Sequence, residues 1–256
     1  MVTETKQTPE TLVGVVTGGI KGIGLGIAAA LAKRGARVAV TYRSDDRAAE
    51  AARDHLESLC GNHGGILLLK GDVGDPAVVT SHYEEVNKTL GAPHVLVNNA
   101  GVMPQQAFDT ITDRDWEETI RINLSGAFYW CARAVPAMKA LGFGRIVNIA
   151  SVAARGGGVI GPHYAASKAG LLGLTRYAAR ELGPSGVTVN AINPAFIEDA
   201  GIFAHWSDEK KEGLRQKVVV PTLGHVADVV RAFEYLLDSP FVTGVALDVN
   251  GGSFMI

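Results

Sequence analysis

Short runs of β-branched and aliphatic residues alternate along this chain with longer, alanine-rich stretches of helical character. Seven such runs occur, at residues 12–17, 37–42, 66–70, 94–98, 145–149, 187–193 and 245–248. Most of them are almost continuously apolar, which is typical of strands that are covered on both faces. Strand and helix repeated in this order predict a parallel sheet with right-handed crossovers. The pattern therefore predicts a doubly wound α/β domain with a seven-stranded parallel sheet flanked by helices.

The 256 residues are enough to bury one large core, which predicts a flexible tail at 1–10 and a single domain at 11–256. A formal net charge of −2 provides no basic field for nucleic acid and no polybasic membrane anchor. No apolar stretch approaches the roughly 20 residues that a bilayer span needs. The polar N-terminus and the two unpaired cysteines, Cys60 and Cys131, predict a cytoplasmic location.

A glycine-rich turn at 17–24 follows the first predicted strand and leads at once into a helix. Gly18, Gly22 and Gly24 permit a tight turn and let backbone N–H groups approach a pyrophosphate at the positive end of the helix. Glycine turns also serve plain topology, but the position on the first strand of an alternating pattern favours a nucleotide. The sequence therefore predicts a Rossmann-type domain whose turn, including Thr17, Lys21 and Ile23, binds a dinucleotide.

The end of the second strand indicates which dinucleotide binds. Sites that prefer NAD place a carboxylate there, whereas a nearby arginine suits the 2′-phosphate of NADP. Here the strand ends in Tyr42, Arg43 and Ser44, Lys21 lies on the glycine turn, and the first acid is Asp45. We expect the two cations to pair with the phosphate, which predicts NADP(H). The alternative is that both cations are merely solvated and that the acids after Ser44 weaken the local positive field.

A tyrosine and a lysine four residues apart, Tyr164 and Lys168, project from one face of a predicted helix. A free phenol has a pKa of about 10, and a neighbouring ammonium lowers that pKa. Such pairs are common and usually structural. Ser151, however, lies just beyond the apolar strand at 145–149, at the sheet edge where ligands bind. A serine there can hydrogen-bond the oxygen of a reacting carbonyl, which favours a proton-transfer site.

Five separated motifs together resemble the short-chain dehydrogenase/reductase family. They are the glycine turn at 17–24, Asn-Asn-Ala-Gly at 98–101, Asn123, Ser151 and Tyr164-x3-Lys168. The resemblance implies that Tyr164 is the general acid in reduction and the base in oxidation. It implies that Lys168 lowers the pKa of Tyr164 and holds the nicotinamide ribose, that Ser151 orients the substrate oxygen, and that Asn123 supports a water-linked proton path behind Lys168.

The same resemblance extends the cofactor site beyond the glycine turn. It implies that Asp72 and Val73 contact adenine, although Asp72 also suits a plain turn. It further implies that the cofactor groove is lined by Asn99, Ala100, Gly101, Pro194 and Ile197. The lysine and arginine pattern resembles the NADP-dependent members, and the ending at 242–252 resembles 3-oxoacyl-carrier-protein reductases and related ketoreductases. A small carbonyl or alcohol is the implied substrate.

Three departures from the family pattern favour a specialised substrate over a housekeeping role in fatty-acid synthesis. Ala195 replaces a glycine, Asp199 stands where a threonine is usual, and His225 stands where an arginine is usual. A carboxylate at 199 either favours the oxidised nicotinamide or points away from it. The remaining alternatives are an NADP(H)-binding regulatory protein with little turnover and a family member directed at sugars, steroids or imines.

Residues 195–220 lack a strand signal and mix aromatic with charged side chains, including His205 and Trp206. They predict a surface insertion with one or two short helices, a substrate lid, or both. No metal site is predicted, because the Cys60–His63 pair suits surface residues better than ligands, and His163 is expected to flank the pocket. The helix that begins near Tyr164 is apolar on most sides, so we expect a homotetramer, or a dimer, to cover it.

Overall fold

The computed structural model describes residues 9–61 and 65–255. Within these ranges, strands and helices alternate along the chain. The tail predicted for residues 1–10 falls almost entirely outside the described residues, and His63 lies outside them as well.

Seven strands form a single sheet in which every neighbouring pair is parallel. They are β1 (Val13–Val16), β2 (Arg37–Tyr42), β3 (Ile66–Lys70), β4 (Val95–Asn98), β5 (Gly144–Ile149), β6 (Val187–Pro194) and β7 (Ala246–Val249). Their order across the sheet is β3-β2-β1-β4-β5-β6-β7. The predicted seven-stranded parallel sheet is confirmed, and no strand end departs from its predicted position by more than one residue.

The helices connect successive strands. They are α1 (Gly22–Lys33), α2 (Asp46–Glu57), α3 (Pro76–Thr89), α4 (Asp113–Ile120), α5 (Gly126–Leu141), α6 (Ala153–Gly156), α7 (Pro162–Leu182), α8 (Asp208–Arg215) and α9 (Val226–Asp238). No helix within the described ranges is both long enough and apolar enough to cross a membrane.

Two helical layers cover the two faces of the sheet. Ile27 of α1 and Phe233 of α9 belong to the core on one face, whereas Trp130 of α5 and Leu182 of α7 belong to the core on the other. Burying each such side chain contributes roughly 1.5–3 kcal/mol. β1, β4, β5 and β6 are buried along their whole length, although β5 and β6 include buried polar residues such as Arg145, Asn148 and Asn190.

The sheet order reverses between β1 and β4, which are neighbours in space although two strands separate them in the chain. In doubly wound sheets a crevice opens at this point, outside the carboxyl ends of the strands. The glycine turn, the residues after β4 and Ser151 after β5 follow the carboxyl ends of β1, β4 and β5, so the topology gathers them at this edge.

The segment at 195–220 carries two short helical pieces, a 3-10 turn at Gly201–His205 and α8 at Asp208–Arg215. This agrees with the prediction of an insertion that contains one or two short helices. The segment follows the carboxyl end of β6 and therefore lies beside the crevice.

Candidate active site

Ser151 lies at the carboxyl edge of the sheet, two residues after the end of β5. Its hydroxyl oxygen accepts a hydrogen bond from the Ala153 N–H at 3.1 Å, at the start of the short helix α6. The residue is buried, with 9% of its surface exposed. This contact uses the hydroxyl oxygen, and the same hydroxyl also hydrogen-bonds Tyr164, which acts to lower the pKa of the phenol.

Tyr164 and Lys168 occupy the first two turns of α7, where both are buried. The Lys168 Nζ donates a hydrogen bond of 2.8 Å to the carbonyl oxygen of Ile149, the last residue of β5. The same nitrogen lies 5.7 Å from the centre of the Tyr164 ring. The end of β5 therefore fixes the lysine beside the phenol, as the four-residue spacing predicted.

Burial shifts both of these groups towards their neutral forms. It raises the pKa of Tyr164 above its ordinary value, against an opposing hydrogen bond with Ser151, and it lowers the pKa of Lys168 to about 8. The protein alone therefore does not produce the expected lowering of the tyrosine pKa by the lysine. Desolvation penalises the phenolate and the ammonium alike, and here it is the larger effect.

Asn123 sits in a π-helical turn, Arg121–Ser125, that joins α4 to α5. Its Oδ1 accepts a hydrogen bond of 2.8 Å from the Val102 N–H. Its Nδ2 donates to the Val102 carbonyl oxygen at 2.9 Å and to the Ser167 Oγ at 3.2 Å. The amide thus ties the loop after β4 to α7 and positions the groups around Lys168. The water-linked proton path stays a prediction.

Gly101 keeps the space above these groups open. A Cβ atom at this position would lie 3.2 Å from the Asn123 Oδ1 and 3.6 Å from the Lys168 Nζ. The missing side chain therefore leaves room against the catalytic groups for a flat ligand.

The glycine turn is held in place by Thr17 and Asn99. The Thr17 Oγ1 accepts from the backbone N–H groups of Asn99 and Ala100, and the Asn99 side chain donates to the carbonyl oxygens of Thr17 and Gly18. A Cβ at Gly24 would lie only 2.4 Å from the Gly18 oxygen. Thr17 and Gly24, predicted to contact the cofactor, instead shape the turn from beneath and do not line the groove.

The N-terminus of α1 is open towards the crevice. The helix starts at Gly22, and Lys21, the residue before it, provides no side-chain cap. Uncapped N–H groups at a helix start form a ready anion site. A Cβ at Gly22 would lie 3.4 Å from the Ala200 Cβ on the opposite side of the crevice. The backbone φ of Gly22 is +54°, a conformation that favours glycine.

A groove of about 700 Å³ runs along this edge of the sheet. Among the predicted cofactor residues, those that line it are Gly18, Lys21, Gly22, Ile23, Tyr42, Arg43, Ser44, Asp72, Val73, Asn99, Ala100 and Gly101. Residues from four separate loops thus meet on one elongated surface, which has the shape a dinucleotide requires.

The acids near Arg43 are mostly engaged elsewhere. Asp45 accepts a hydrogen bond from the backbone of α2 as its N-cap, and Asp46 lies 2.6 Å from the Lys70 Nζ. Arg43 itself forms an exposed ion pair with Glu118 of α4, with 3.5 Å between its Nη1 and the Glu118 Oε1. Within the described ranges no ion pair involves Lys21.

Asp72 combines the two roles considered for it. It lines the groove, and its Oδ1 accepts a hydrogen bond of 2.8 Å from the Gly74 N–H, which closes a turn. Its Oδ2 lies 2.9 Å from the Arg121 Nη2. Burial acts to raise the pKa of Asp72, but the hydrogen bonds from Arg121 and Gly74 outweigh burial and hold that pKa below its usual value.

A second cavity, of about 220 Å³, adjoins the groove, and Ile23, Asn99 and Gly101 line both. Ser151, Tyr164 and Lys168 line this cavity, and so do Pro194 and Ile197, which were expected to line the groove. The groove and the group formed by Ser151, Tyr164 and Lys168 are therefore neighbouring spaces.

Asp199, the acid in place of the usual threonine, is held by the start of α9. Its Oδ1 accepts a hydrogen bond of 2.8 Å from the Val226 N–H. The His225 imidazole lies beside it, 3.8 Å from the Asp199 Oδ2 and 3.3 Å from the Glu198 Oε1. Asp199 also lines the long groove and not the smaller cavity, so both alternatives for this carboxylate stay predictions.

The remaining residues considered as candidates are His205, Trp206, His163 and Cys60. His205 lines the groove, whereas Trp206 lines neither cavity. His163 is fully buried, both ring nitrogens have no hydrogen-bond partner within the described part of the chain, and burial lowers its pKa. Cys60 is buried rather than on the surface as expected, because the end of α2 packs into the core.

No group of three or more histidine, cysteine or acidic side chains suited to a metal ion occurs in residues 9–61 and 65–255. Sequence reasoning overlooked Glu118 and Arg121, whose ion pairs span 75 and 49 positions of the chain. It also overlooked Thr41, whose Oγ1 accepts from the Gly18 N–H at 3.2 Å. Of these three residues, only Thr41 could have been found from the sequence, because it precedes Tyr42, which was predicted to bind the cofactor.

Comparison with known proteins agrees with this geometry. A family model described as Enoyl-(Acyl carrier protein) reductase matches residues 18–253. An uncharacterized short-chain type dehydrogenase/reductase of Sinorhizobium fredii is 38% identical over 91% of this chain and 92% of its own length.

Other relatives carry a more specific name. The 3-oxoacyl-[acyl-carrier-protein] reductase FabG of Escherichia coli is 36% identical over 96% of this chain and 99% of its own length. FabG of Staphylococcus aureus is 35% identical over 94% of this chain and 97% of its own length. The chain is an oxidoreductase that belongs to the short-chain dehydrogenase/reductase family.

Proposed function

We propose that this protein is an NADP(H)-dependent ketoreductase that transfers a hydride between nicotinamide and a carbonyl or alcohol substrate, of the 3-oxoacyl or a related specialised-metabolite type. The observation that carries the proposal is that Ser151, Tyr164 and Lys168 line a cavity that shares Ile23, Asn99 and Gly101 with the long groove. This arrangement brings a dinucleotide and a small carbonyl compound to the same proton donor.

The groove residues fit a dinucleotide. The uncapped start of α1 suits the pyrophosphate, and the missing side chains of Gly22 and Gly101 leave space that a Cβ would occupy. Lys168 would hold the nicotinamide ribose, and Asp72 with Val73 would contact adenine. When bound, the nicotinamide supplies the hydride for reduction or accepts it in oxidation.

In reduction, Tyr164 donates its phenolic proton to the substrate oxygen while Ser151 donates a hydrogen bond to the same oxygen. Burial raises the pKa of Tyr164, which favours the protonated phenol but makes it a weaker acid, so the charge of Lys168 has to offset this effect during proton transfer. Lys168, fixed by the Ile149 carbonyl, is placed to stabilise the phenolate that remains. Oxidation runs through the same groups with Tyr164 as the base.

The preference for NADP(H) rests on three side chains that line the adenosine end, Lys21, Arg43 and Ser44. Two cations and a hydroxyl match a phosphate dianion, and charge-assisted hydrogen bonds of this kind are stronger than neutral ones. Asp45 and Asp46, which would otherwise oppose a phosphate, are occupied by the α2 backbone and by Lys70.

A screen of NADPH oxidation over β-ketoacyl thioesters, cyclic ketones, sugars and quinones tests this function. We expect turnover with at least one ketone or thioester, none without the protein, and none with Tyr164→Phe. Tight NADPH binding without turnover across the panel would instead favour a regulatory nucleotide-binding protein. Product analysis would identify an imine-directed or sugar-directed family member.

We also propose a homotetramer, with a dimer as the alternative, and a cytoplasmic location. Tyr177 on α7 is 70% exposed and Phe128 on α5 is 53% exposed. Two small residues of α7, Ala169 and Gly173, are exposed as well. Large exposed apolar side chains over small neighbours suit a subunit contact. Sedimentation equilibrium of the full chain tests the state of assembly.

A further inference from the structure

The smaller cavity differs from the groove in the chemistry of its walls. Outside the catalytic groups, the large apolar residues that line this cavity and not the groove include Val152, Val159, Ile160, Phe196 and Phe203. Lys168 is the only charged side chain among the described residues that line it. A ligand in this cavity therefore meets apolar surface everywhere except at the proton donors.

One wall of the cavity is built from stacked aromatic rings. Phe196, just beyond β6, packs edge to face on Phe203, with 5.8 Å between ring centres and 86° between planes. Phe203 packs in the same way on Trp206, at 5.1 Å and 77°. The Lys210 Nζ lies 5.9 Å from the Trp206 ring on the outer side. This stack fixes the Phe203 ring, because edge-to-face pairs have a preferred geometry.

The volume of the cavity limits the size of the group that can bind against this wall. At about 220 Å³ the cavity exceeds the roughly 150 Å³ that accommodates benzene in an engineered apolar cavity. Part of the space belongs to the nicotinamide position, since Asn99, Gly101 and Ile23 also border it. The remainder suits a single ring with short substituents.

We propose that the substrate is an uncharged ketone whose carbonyl is attached to a flat or compact apolar ring, and that Phe196 and Phe203 bind this ring. The inference rests on the proposed function and narrows its substrate class. Polyols and carboxylates would leave hydroxyl or charged groups without hydrogen-bond partners in an apolar cavity, which is costly. Linear chains would fill the cavity but lose the edge-to-face contact with the Phe203 ring.

A matched set of ketones tests the proposal in an NADPH-oxidation assay. Acetophenone and 2-octanone have the same number of non-hydrogen atoms but differ in the ring. We expect kcat/KM for acetophenone to exceed that for 2-octanone by about tenfold, and to exceed those for phenylglyoxylate and dihydroxyacetone by at least about 100-fold. Equal or better turnover of the linear, charged or hydroxylated ketone would overturn the proposal.

The same assay separates this inference from the function on which it rests. If β-ketoacyl thioesters are reduced but acetophenone is not, the ring-binding inference is wrong and the ketoreductase stands. If no carbonyl compound in either set oxidises NADPH, the proposed function itself fails.

Substitution at the wall provides an independent readout. Phe203 is only partly buried, so Phe203→Ala should fold, and we expect it to raise the KM for acetophenone by about tenfold with little change for 2-octanone. Phe203→Leu retains apolar bulk and should give the same pattern to a smaller degree. Phe241→Ala removes a fully exposed ring before β7, at the opposite sheet edge, and should change neither value. Equal losses for both ketones in Phe203→Ala would assign the residue a merely structural role.

Discussion

The two ends of the groove handle charge in opposite ways. At the catalytic end, Tyr164 and Lys168 are 9% and 5% exposed, and burial shifts the pKa of each towards its neutral form. At the adenosine end, Arg43 and Glu118 form an ion pair in which both side chains are well exposed to solvent. Solvent weakens charge interactions at the second end, whereas it is excluded from the first.

This difference predicts which substitutions should have large effects on activity and which should have small ones. Water cannot reach a buried site to replace a lost proton donor, so the loss of that donor prevents the proton transfer. An exposed cation contributes a screened attraction that neighbouring groups partly replace. The effect of a substitution on activity should therefore decrease from the catalytic end of the groove to the adenosine end.

The largest effect is expected for Tyr164→Phe, which removes the proton donor while keeping the ring. We expect kcat to fall by about 10²- to 10⁴-fold, the usual range for general acid catalysis, with the Kd for NADPH changed less than about threefold. Tyr235→Phe makes the same change at an exposed site of α9 and should leave kcat intact. Full activity in Tyr164→Phe would contradict the assigned role.

Lys168→Met sharpens the comparison because function and stability should move in opposite directions. Turnover should fall, but at pH 7 the variant should be more stable by about 1–3 kcal/mol, since a buried ammonium is lost. Between pH 8 and the ordinary lysine pKa of about 10.4, only the unfolded wild-type chain binds this proton, so wild-type stability rises and the advantage of the variant shrinks.

Thermal unfolding of wild type and Lys168→Met at pH 7 and pH 9.5 measures this change. Lys139→Met, on the exposed surface of α5, is the matched control and should show no pH-dependent difference. A Lys168→Met variant that is less stable than wild type at pH 7 would show that the hydrogen bond to Ile149 outweighs the burial of charge.

At the exposed end, Arg43→Ala should raise the KM for NADPH by about tenfold to 100-fold and leave the KM for NADH within about twofold. The loss corresponds to a charge-assisted hydrogen bond of about 1.5–3 kcal/mol, and it should diminish at high salt. Arg53→Ala, further along α2 and paired with Glu50, provides the control in steady-state kinetics. Unchanged KM values for both cofactors would remove Arg43 from the site.

The smallest effect, and the only gain, is expected for Glu118→Gln. Glu118 competes with a phosphate for Arg43, so its neutralisation should tighten NADPH binding by about twofold to fivefold, the range set by exposed ion pairs. NADH binding should stay constant, and Glu117→Gln, one position earlier on α4, should alter neither Kd. Weaker NADPH binding, measured by titration calorimetry, would show that Glu118 orients Arg43 for the cofactor instead.

The fold and most of the groove were accessible from the sequence because their signals are local. Continuous apolar runs located every strand, and the glycine turn and the Tyr164–Lys168 spacing located both ends of the groove. The ion pair between Arg121 and Asp72 joins distant positions and leaves no local pattern. The shifted pKa values depend on desolvation, which exists only once the chain has packed around these groups.

The wider turn at Arg121–Ser125 places a constraint on chain length. It interrupts an otherwise continuous helical stretch from α4 through α5, and each residue of an α-helix advances the chain by about 100°. A π-helical turn accommodates one more residue than regular α-helical winding, so deleting one residue here would restore that winding with α5 still in register and Trp130 still in the core. The same deletion would displace Asn123 from Val102, so it should preserve the fold and impair the site, whereas a deletion within α5 itself should carry Trp130 out of the core.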